Sequence, residues 1–270
     1  MWGAIFGDVV GSRFEWHNHR DKDFVLFTED SCFTDDSVMT VAVAKSLAEC
    51  GEQGGQALRE AVIRNMQQKG RKYWDAGYGG MFARWLESDD PKPYNSFGNG
   101  AAMRISPVGD FARSEDEVKR LSHIVTEVTH NHPEGIKGAE CVAMCIFLAK
   151  QGRSKEQIFK RAENYYPQIG SLTCAELSKT NLFDETCQGS VPQALTCFFE
   201  GKDFEDTVRN AVSIGGDSDT IAAIAGGVAE AFFGMEERFK EEVRLYLSSD
   251  LLRTIEPIEK RIYRNVSHSL

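Results

Sequence analysis

Two short acidic clusters, Phe33-Thr34-Asp35-Asp36-Ser37 and Gly215-Gly216-Asp217-Ser218-Asp219-Thr220, constrain the fold of this chain more than anything else in it. Each places a Thr hydroxyl beside two carboxylates. Each also opens a stretch with helical patterning, Val38 to Cys50 in one case and Ile221 to Phe233 in the other. Thr, Asp and Ser belong at a helix start, where their oxygens accept from N–H groups that lack a partner inside the helix. Four carboxylates are more than capping requires. Brought together they repel one another unless cations sit between them. A hard, all-oxygen ligand set suits Mg²⁺ or Mn²⁺, not zinc or copper. The pattern therefore predicts that the two clusters meet as halves of one two-metal site. Because most of the chain separates them, the meeting is expected inside a single domain spanning residues 1–270.

Between the clusters the sequence reads as helix after helix. Gly3, Gly7, Gly11 and Glu15 are four residues apart, which puts them along one helical face where another backbone can come close. The helix after the second cluster is small-sided (Ala222, Ala223, Ala225, Gly226, Gly227, Ala229) and is the expected partner of that glycine face. Leu58, Val62 and Met66 mark another amphipathic helix, and Ile136 to Lys150 a further one. Ser114 with Glu117, and Ser154 with Gln157, have the spacing of capping boxes. Leu182 to Gly189 reads as a loop, with Ser190 and Pro192 starting the next helix. Phe204, Val208 and Val212 precede the second cluster, and the stripes Phe239, Val243, Leu247 and Leu252, Ile255, Ile258, Ile262 follow it. No alternating run of strand length and no internal repeat interrupts this pattern, so the expected fold is all-α.

Composition removes several classes of function. The formal charge is −10, with no block of five like charges, which argues against sequence-independent nucleic-acid binding. An anionic ligand held by metal ions and helix N-termini stays compatible with it. Seven cysteines, an odd number with no CxxC, point to a reduced cytoplasmic protein. The N-terminus has no basic stretch, and Asp8 interrupts its apolar run, so neither a signal peptide nor a membrane span is expected.

Other chemistries were weighed against these clusters. His17, His19, His130 and His132 could in principle form a zinc site of four imidazoles, but they lie in polar loops with no Cys placed to complete a familiar pattern. Cys187 as a nucleophile has no His near it in sequence, and no nucleophile elbow is present. The glycine-rich segments Asp75–Gly80 and Ser96–Arg104 read either as plain turns or as backbone that lets a phosphate approach.

Taken in order, GDVVGSRFE, FTDDSVMT, GYGG, SFGNGAAMR, THNHP, CQGSVPQAL and GGDSDTIAAIAGGVAEAFFG resemble the motifs of the ADP-ribosylglycohydrolases, from Gly7 to Gly234. The resemblance implies a compact, orthogonal multi-helix bundle with a binuclear Mg²⁺ or Mn²⁺ centre in a central cleft. It implies Thr34, Asp35, Asp36, Asp217, Asp219 and Thr220 as metal ligands. Asp36, Glu15 and Asp35 would be the catalytic carboxylates. Gly77, Gly79, Ser96, Phe97, Gly98, Asn99, Gly100 and His130 would hold the diphosphate and distal ribose, with Gln188 and Ser190 toward the adenine. The partner would be an ADP-ribosylated protein or another ADP-ribose conjugate. Two departures matter: the usual D-T-D-T is D-S-D-T here, which keeps every expected ligand, and the chain is shorter than many relatives, which leaves the acceptor open. The rival readings are a non-catalytic ADP-ribose-binding or crystallin-like protein, and a two-metal phosphoesterase acting on nucleotide diphosphates.

Overall fold

The glycines at positions 3, 7 and 11 bring two helix backbones into direct contact. A Cβ added at Gly3 would stand 2.3 Å from the Gly226 carbonyl oxygen, one at Gly7 2.0 Å from that of Ala222, and one at Gly11 2.5 Å from the Asp219 Cα. No side chain fits such gaps. The order reverses along the partner, so the helices run antiparallel and the end of the first meets the start of the other. The expected pairing of the two small-sided faces is therefore observed, and it carries Asp8 to the second acidic cluster.

The computed structural model describes the backbone of residues 1–266 and the side chains of residues 1–260; the Ile262 side chain and the last four residues of the expected domain lie outside these ranges. Helices α1 (Trp2–Gly11), α2 (Asp35–Cys50), α3 (Gly55–Lys72) and α4 (Gly80–Glu87) form the first third. The middle holds α5 (Gly100–Met103), α6 (Ser106–Phe111), α7 (Glu115–Glu127), α8 (Pro133–Lys150), α9 (Lys155–Glu163) and α10 (Cys174–Thr180). Then come α11 (Cys187–Glu200), α12 (Phe204–Ser213), α13 (Ser218–Phe233), α14 (Glu237–Arg244) and α15 (Ser249–Val266). Among the described residues the only β-type pairing is an isolated bridge between Gly98 and Thr186. Helix α13 is buried on every side over its first three turns, as its small apolar composition requires, and packs against α1, α8, α11 and α12. One apolar core runs from Met1 to Ile258.

Four boundaries differ from expectation for local reasons; α8 begins at Pro133, not Ile136, with the His132 side chain accepting from the Glu134 N–H at 3.1 Å. Helices α2 and α13 begin three residues before Val38 and Ile221, because Thr34 and Asp217 are the N-caps and the acidic residues occupy the first turns. Helix α11 begins at Cys187, not Ser190. The Thr186 hydroxyl accepts from the Gly189 N–H, and Pro192 sits inside the helix. At α7 half of the capping box forms: Ser114 accepts from the Glu117 N–H, but the Glu117 carboxylate takes the Arg113 N–H instead of that of Ser114. The box at Ser154 and Gln157 is complete.

Candidate active site

Thr34 caps α2, its hydroxyl accepting from the Asp36 N–H at 3.3 Å, and places Asp35 and Asp36 in the first helical turn. Asp8, on the buried α1, holds this corner together. Its carboxylate accepts from the Thr34 N–H (3.0 Å), the Thr34 hydroxyl (2.7 Å), the Ser37 N–H (3.1 Å) and the Ser37 hydroxyl. The second cluster is reached through Gly215 and Gly216, whose φ values of +69° and +85° favour glycine and turn the chain sharply into α13. Asn18 fixes that turn: its side chain accepts from the Gly216 N–H (2.8 Å) and donates to the Gly216 carbonyl (2.9 Å) and to the Phe14 carbonyl (2.9 Å). The Glu15 segment and the Asp217 turn are thereby tied together.

The two clusters converge. Carboxylate oxygens of Asp8, Asp36 and Asp219 lie within 4.8 Å of one another, and so do those of Glu15, Asp217 and Asp219. Asp219 belongs to both groups. The Thr220 hydroxyl donates to Asp36 Oδ2 at 3.2 Å, stitching the start of α13 to that of α2. Asp35 belongs to neither group. Its backbone N–H donates to the Ala76 carbonyl at 2.8 Å, and its side chain keeps partial contact with solvent, close enough for Asp219 to perturb it.

Burial comes first among the forces on these carboxyls and mutual repulsion second. Asp35, Asp36 and Asp219 are all pushed well above the usual carboxylate range, by burial and then by their acidic neighbours. Burial raises Asp8 as well, despite the four donors facing it. Asp217 is pushed up to about 6 by burial, against the opposing pull of its hydrogen bonds, and Glu15 up to about 7 by burial and then by Asp219, Asp8 and Glu185.

Does this arrangement suit cations? Asp36 Oδ1 and Asp219 Oδ1 are buried and have no hydrogen-bond partner among the described residues. A buried unpaired carboxylate oxygen is costly, and two of them facing a cluster of like charge are what a bound divalent cation would satisfy. The donor set is carboxylate and hydroxyl throughout, the chemistry of Mg²⁺ or Mn²⁺. No histidine enters a cluster of potential metal ligands among the described residues, which removes the zinc alternative. Cys187 is removed too: it is buried, its thiol is pushed up to about 12, and its Sγ donates to the Gly98 carbonyl at 3.2 Å.

The glycine segments flank the cluster. Gly77, with φ of +104°, lies beside Asp35, a Cβ there falling 3.5 Å from Asp35 Oδ1, and Gly79 caps α4 with open space around it. On the other side, the Asn99 side chain donates to Asp217 Oδ2 (2.6 Å) and to Ser190 Oγ (2.9 Å), so its amide braces the acidic cluster. The Gly98 N–H goes to Ser96 Oγ (3.1 Å) and the Asn99 N–H to the Glu185 carbonyl (2.7 Å). Of the Gly98, Asn99 and Gly100 N–H groups, that of Gly100 makes no hydrogen bond to another described residue. His130 is buried behind the loop, Phe97 is 43% exposed on its outer side, Gln188 is exposed, and Ser190 is buried with its hydroxyl donating to the Asp184 carbonyl. The sequence reading missed Asp8 and Asn18. Asp8 had a signal, a lone carboxylate in an otherwise apolar and glycine-striped helix.

Known proteins resemble this chain in sequence and in fold. A family model described as ADP-ribosylglycohydrolase matches residues 1–267. Human ADP-ribosylhydrolase ARH3 is 27% identical over 93% of this chain and 89% of the human protein. ADP-ribosylarginine hydrolase Tri1 of Pseudomonas putida is 23% identical over 87% of this chain and 70% of its own length. In fold, the chain is similar to a solved ADP-ribosylglycohydrolase-related protein complex, with a TM-score of 0.66 and 22% identity over 91% of this chain and 94% of that one.

Proposed function

The chain belongs to the ADP-ribosylglycohydrolase family, and from that premise we propose that it frees ADP-ribose from a modified protein side chain in a reaction that needs two Mg²⁺ or Mn²⁺ ions. The observation that carries the metal requirement is the pair of buried, unpartnered oxygens on Asp36 and Asp219. Thr34, Asp35, Asp36, Asp217, Asp219 and Thr220 would hold the ions, with Asp8 keeping Thr34 and Ser37 in place. When bound, the ions supply Lewis-acid polarisation and an acidified water.

The chain's own residues then divide the work. Glu15 is half-buried yet still in contact with solvent, which suits a group that takes the proton of the attacking water and passes it on. Asp36 and Asp35 add negative charge where an oxocarbenium-like transition state develops. The water oxygen bonds to C1″ of the distal ribose as the bond from C1″ to the acceptor breaks, and the acceptor leaves with a proton. Gly77, Gly79, Ser96, Phe97, Gly98, Gly100 and His130 would line the diphosphate and ribose, with Asn99 bracing Asp217 beside them. Gln188 and Ser190 would lie toward the adenine. The domain is read as the whole of residues 1–270. No helix among the described residues is long and apolar enough to cross a membrane, and seven free thiols suit a reducing cytoplasm.

Peptides carrying ADP-ribosyl-arginine and ADP-ribosyl-serine, incubated side by side with and without chelator, test the reading. Arginine is the acceptor in the name of the Pseudomonas relative. Release of intact ADP-ribose that stops on chelation supports it. AMP with ribose phosphate as products would instead identify a phosphoesterase, and undiminished release in chelator would remove the metal requirement.

A further inference from the structure

Arg104 is a buried guanidinium, 1% exposed, without a carboxylate partner among the described residues. One of its terminal nitrogens donates to Thr129 Oγ1 at 2.7 Å and faces His130 Nδ1 at 3.4 Å. Thr129 Oγ1 lies 2.7 Å from the same Nδ1. A guanidinium can only donate, so the Thr129 oxygen accepts from it and has its own proton free for His130. An unprotonated Nδ1 accepts from both groups. A protonated one would leave only the Thr129 oxygen as its acceptor and set an N–H beside the Arg104 N–H groups, so the arrangement favours the unprotonated form. In a neutral imidazole the remaining proton then resides on Nε2.

Nε2 points the other way, toward the glycine loop. A Cβ added at Gly100 would stand 3.3 Å from it and one at Gly98 3.6 Å, so the missing side chains leave the space in front of this nitrogen open. No hydrogen bond to Nε2 is made by any described residue. We propose that Arg104, acting through the Thr129 hydroxyl, is a positioning residue that fixes His130 as its Nε2–H tautomer, a one-proton donor aimed past Gly98 and Gly100 at an anionic oxygen of the ligand. The inference rests on the ADP-ribose reading above for the identity of that ligand, though not for the tautomer. Burial and the neighbouring guanidinium both hold the imidazole well below its ordinary pKa, so it does not become a second cation beside Arg104. Tyr94, its ring centroid 6.0 Å from that of His130, is the other titratable side chain packed against it. Arg104 also leaves an uncompensated positive charge behind the loop, which helps an acidic protein receive a diphosphate.

Long-range ¹H–¹⁵N correlation spectra of the full chain test this directly. The expected signature for His130 is an unprotonated Nδ1 and a protonated Nε2 through the neutral pH range. Thr129→Val should mix the tautomers and weaken ADP-ribose binding, measured by calorimetry, in proportion to the Nε2–H fraction lost, roughly two- to tenfold. Thr129→Ser should restore both. If Thr129→Val does not fold, Arg104→Lys, which keeps the charge and loses the fork, should show the same tautomer mixing. A protonated Nδ1 or an imidazolium in the wild-type protein overturns the inference, as does unchanged affinity in folded Thr129→Val. Failure of the wild-type protein to bind ADP-ribose would instead count against the functional reading, and the spectrum would still decide the tautomer.

Discussion

Replacing Asp217 by Asn should make the cation-free protein more stable and at the same time abolish its stabilisation by Mg²⁺. Asp217 is 5% exposed, and its carboxyl is raised from 3.8 to about 6. Each unit is worth about 1.4 kcal/mol, so ionising it in the folded chain costs about 3 kcal/mol more than in the unfolded one. The sign follows from the raised value. Below 3.8 the carboxyl is protonated in both states and the cost is absent; it grows as pH rises through the window to about 6 and is complete above that. Asparagine keeps an oxygen for the Asn99 amide, which donates to Asp217 Oδ2 at 2.6 Å, and carries no charge. In chelator near pH 8, Asp217→Asn should therefore melt higher than wild type by roughly 6 °C, taking about 2 °C per kcal/mol for a chain of this size. The gap should close on acidification to about pH 4. On the proposed reading that Asp217 helps hold the ions, adding Mg²⁺ should reverse the order, because a ligand that binds only the folded state stabilises in proportion to ln(1 + [L]/Kd) and the variant would bind it more weakly. Thermal melts of both proteins across pH, with chelator and with Mg²⁺, measure all of this. A chelated variant no more stable than chelated wild type near pH 8 would refute the reasoning, since the buried Asp217 carboxylate would then carry no charge penalty for a cation to relieve.

Other substitutions probe separate links. Asp8→Asn turns amide hydrogens toward Thr34 and Ser37, whose N–H and O–H groups now donate to that carboxylate. The Mg²⁺ concentration for half-maximal ADP-ribose release should rise 10- to 100-fold, roughly the effect of losing an outer-shell partner. Gly7→Ala pushes a Cβ to within 2.0 Å of the Ala222 oxygen and should cost about 3 kcal/mol or more in urea unfolding. Gly79→Ala, with nothing within 4 Å of the new atom, should stay within about 0.5 kcal/mol of wild type. Asp250 faces Lys69 Nζ at 2.6 Å, Lys72 Nζ at 2.8 Å and the Tyr73 hydroxyl at 3.1 Å, which hold its carboxyl below its ordinary 3.8. Asp250→Asn should thus lower stability by about 1–2 kcal/mol at neutral pH, and the difference should fade only in strong acid, opposite in sign to Asp217→Asn.

What the sequence disclosed depended on whether the cause was local or distant. Thr34 and Ser154 are caps because of residues two and three positions away, so a short window suffices to find them. Glu117 shows the limit, since the Arg113 N–H competes for its carboxylate within the same window and wins. The start of α11 was misjudged because Pro192 suggested a boundary, while the operative cap, Thr186 with Gly189, was an equally local signal that went unread. The meeting of the two acidic clusters was legible for a physical reason: like charges in such number demand a cation, and a cation demands convergence. Asp8, Asn18 and Arg104 belong to another category, because each acts through a partner between 25 and 198 residues away. Asp8 was nevertheless deducible in two steps. If the glycines of α1 pack antiparallel on the small residues of α13, Gly11 must reach the start of α13, and the carboxylate one helical turn earlier must face the same junction. A buried acid placed there by a stripe of glycines meets the donors at the start of α2, and its four hydrogen bonds to Thr34 and Ser37 bind them. Packing of small residues, more than the acidic motifs themselves, is what turns two helix caps into one site.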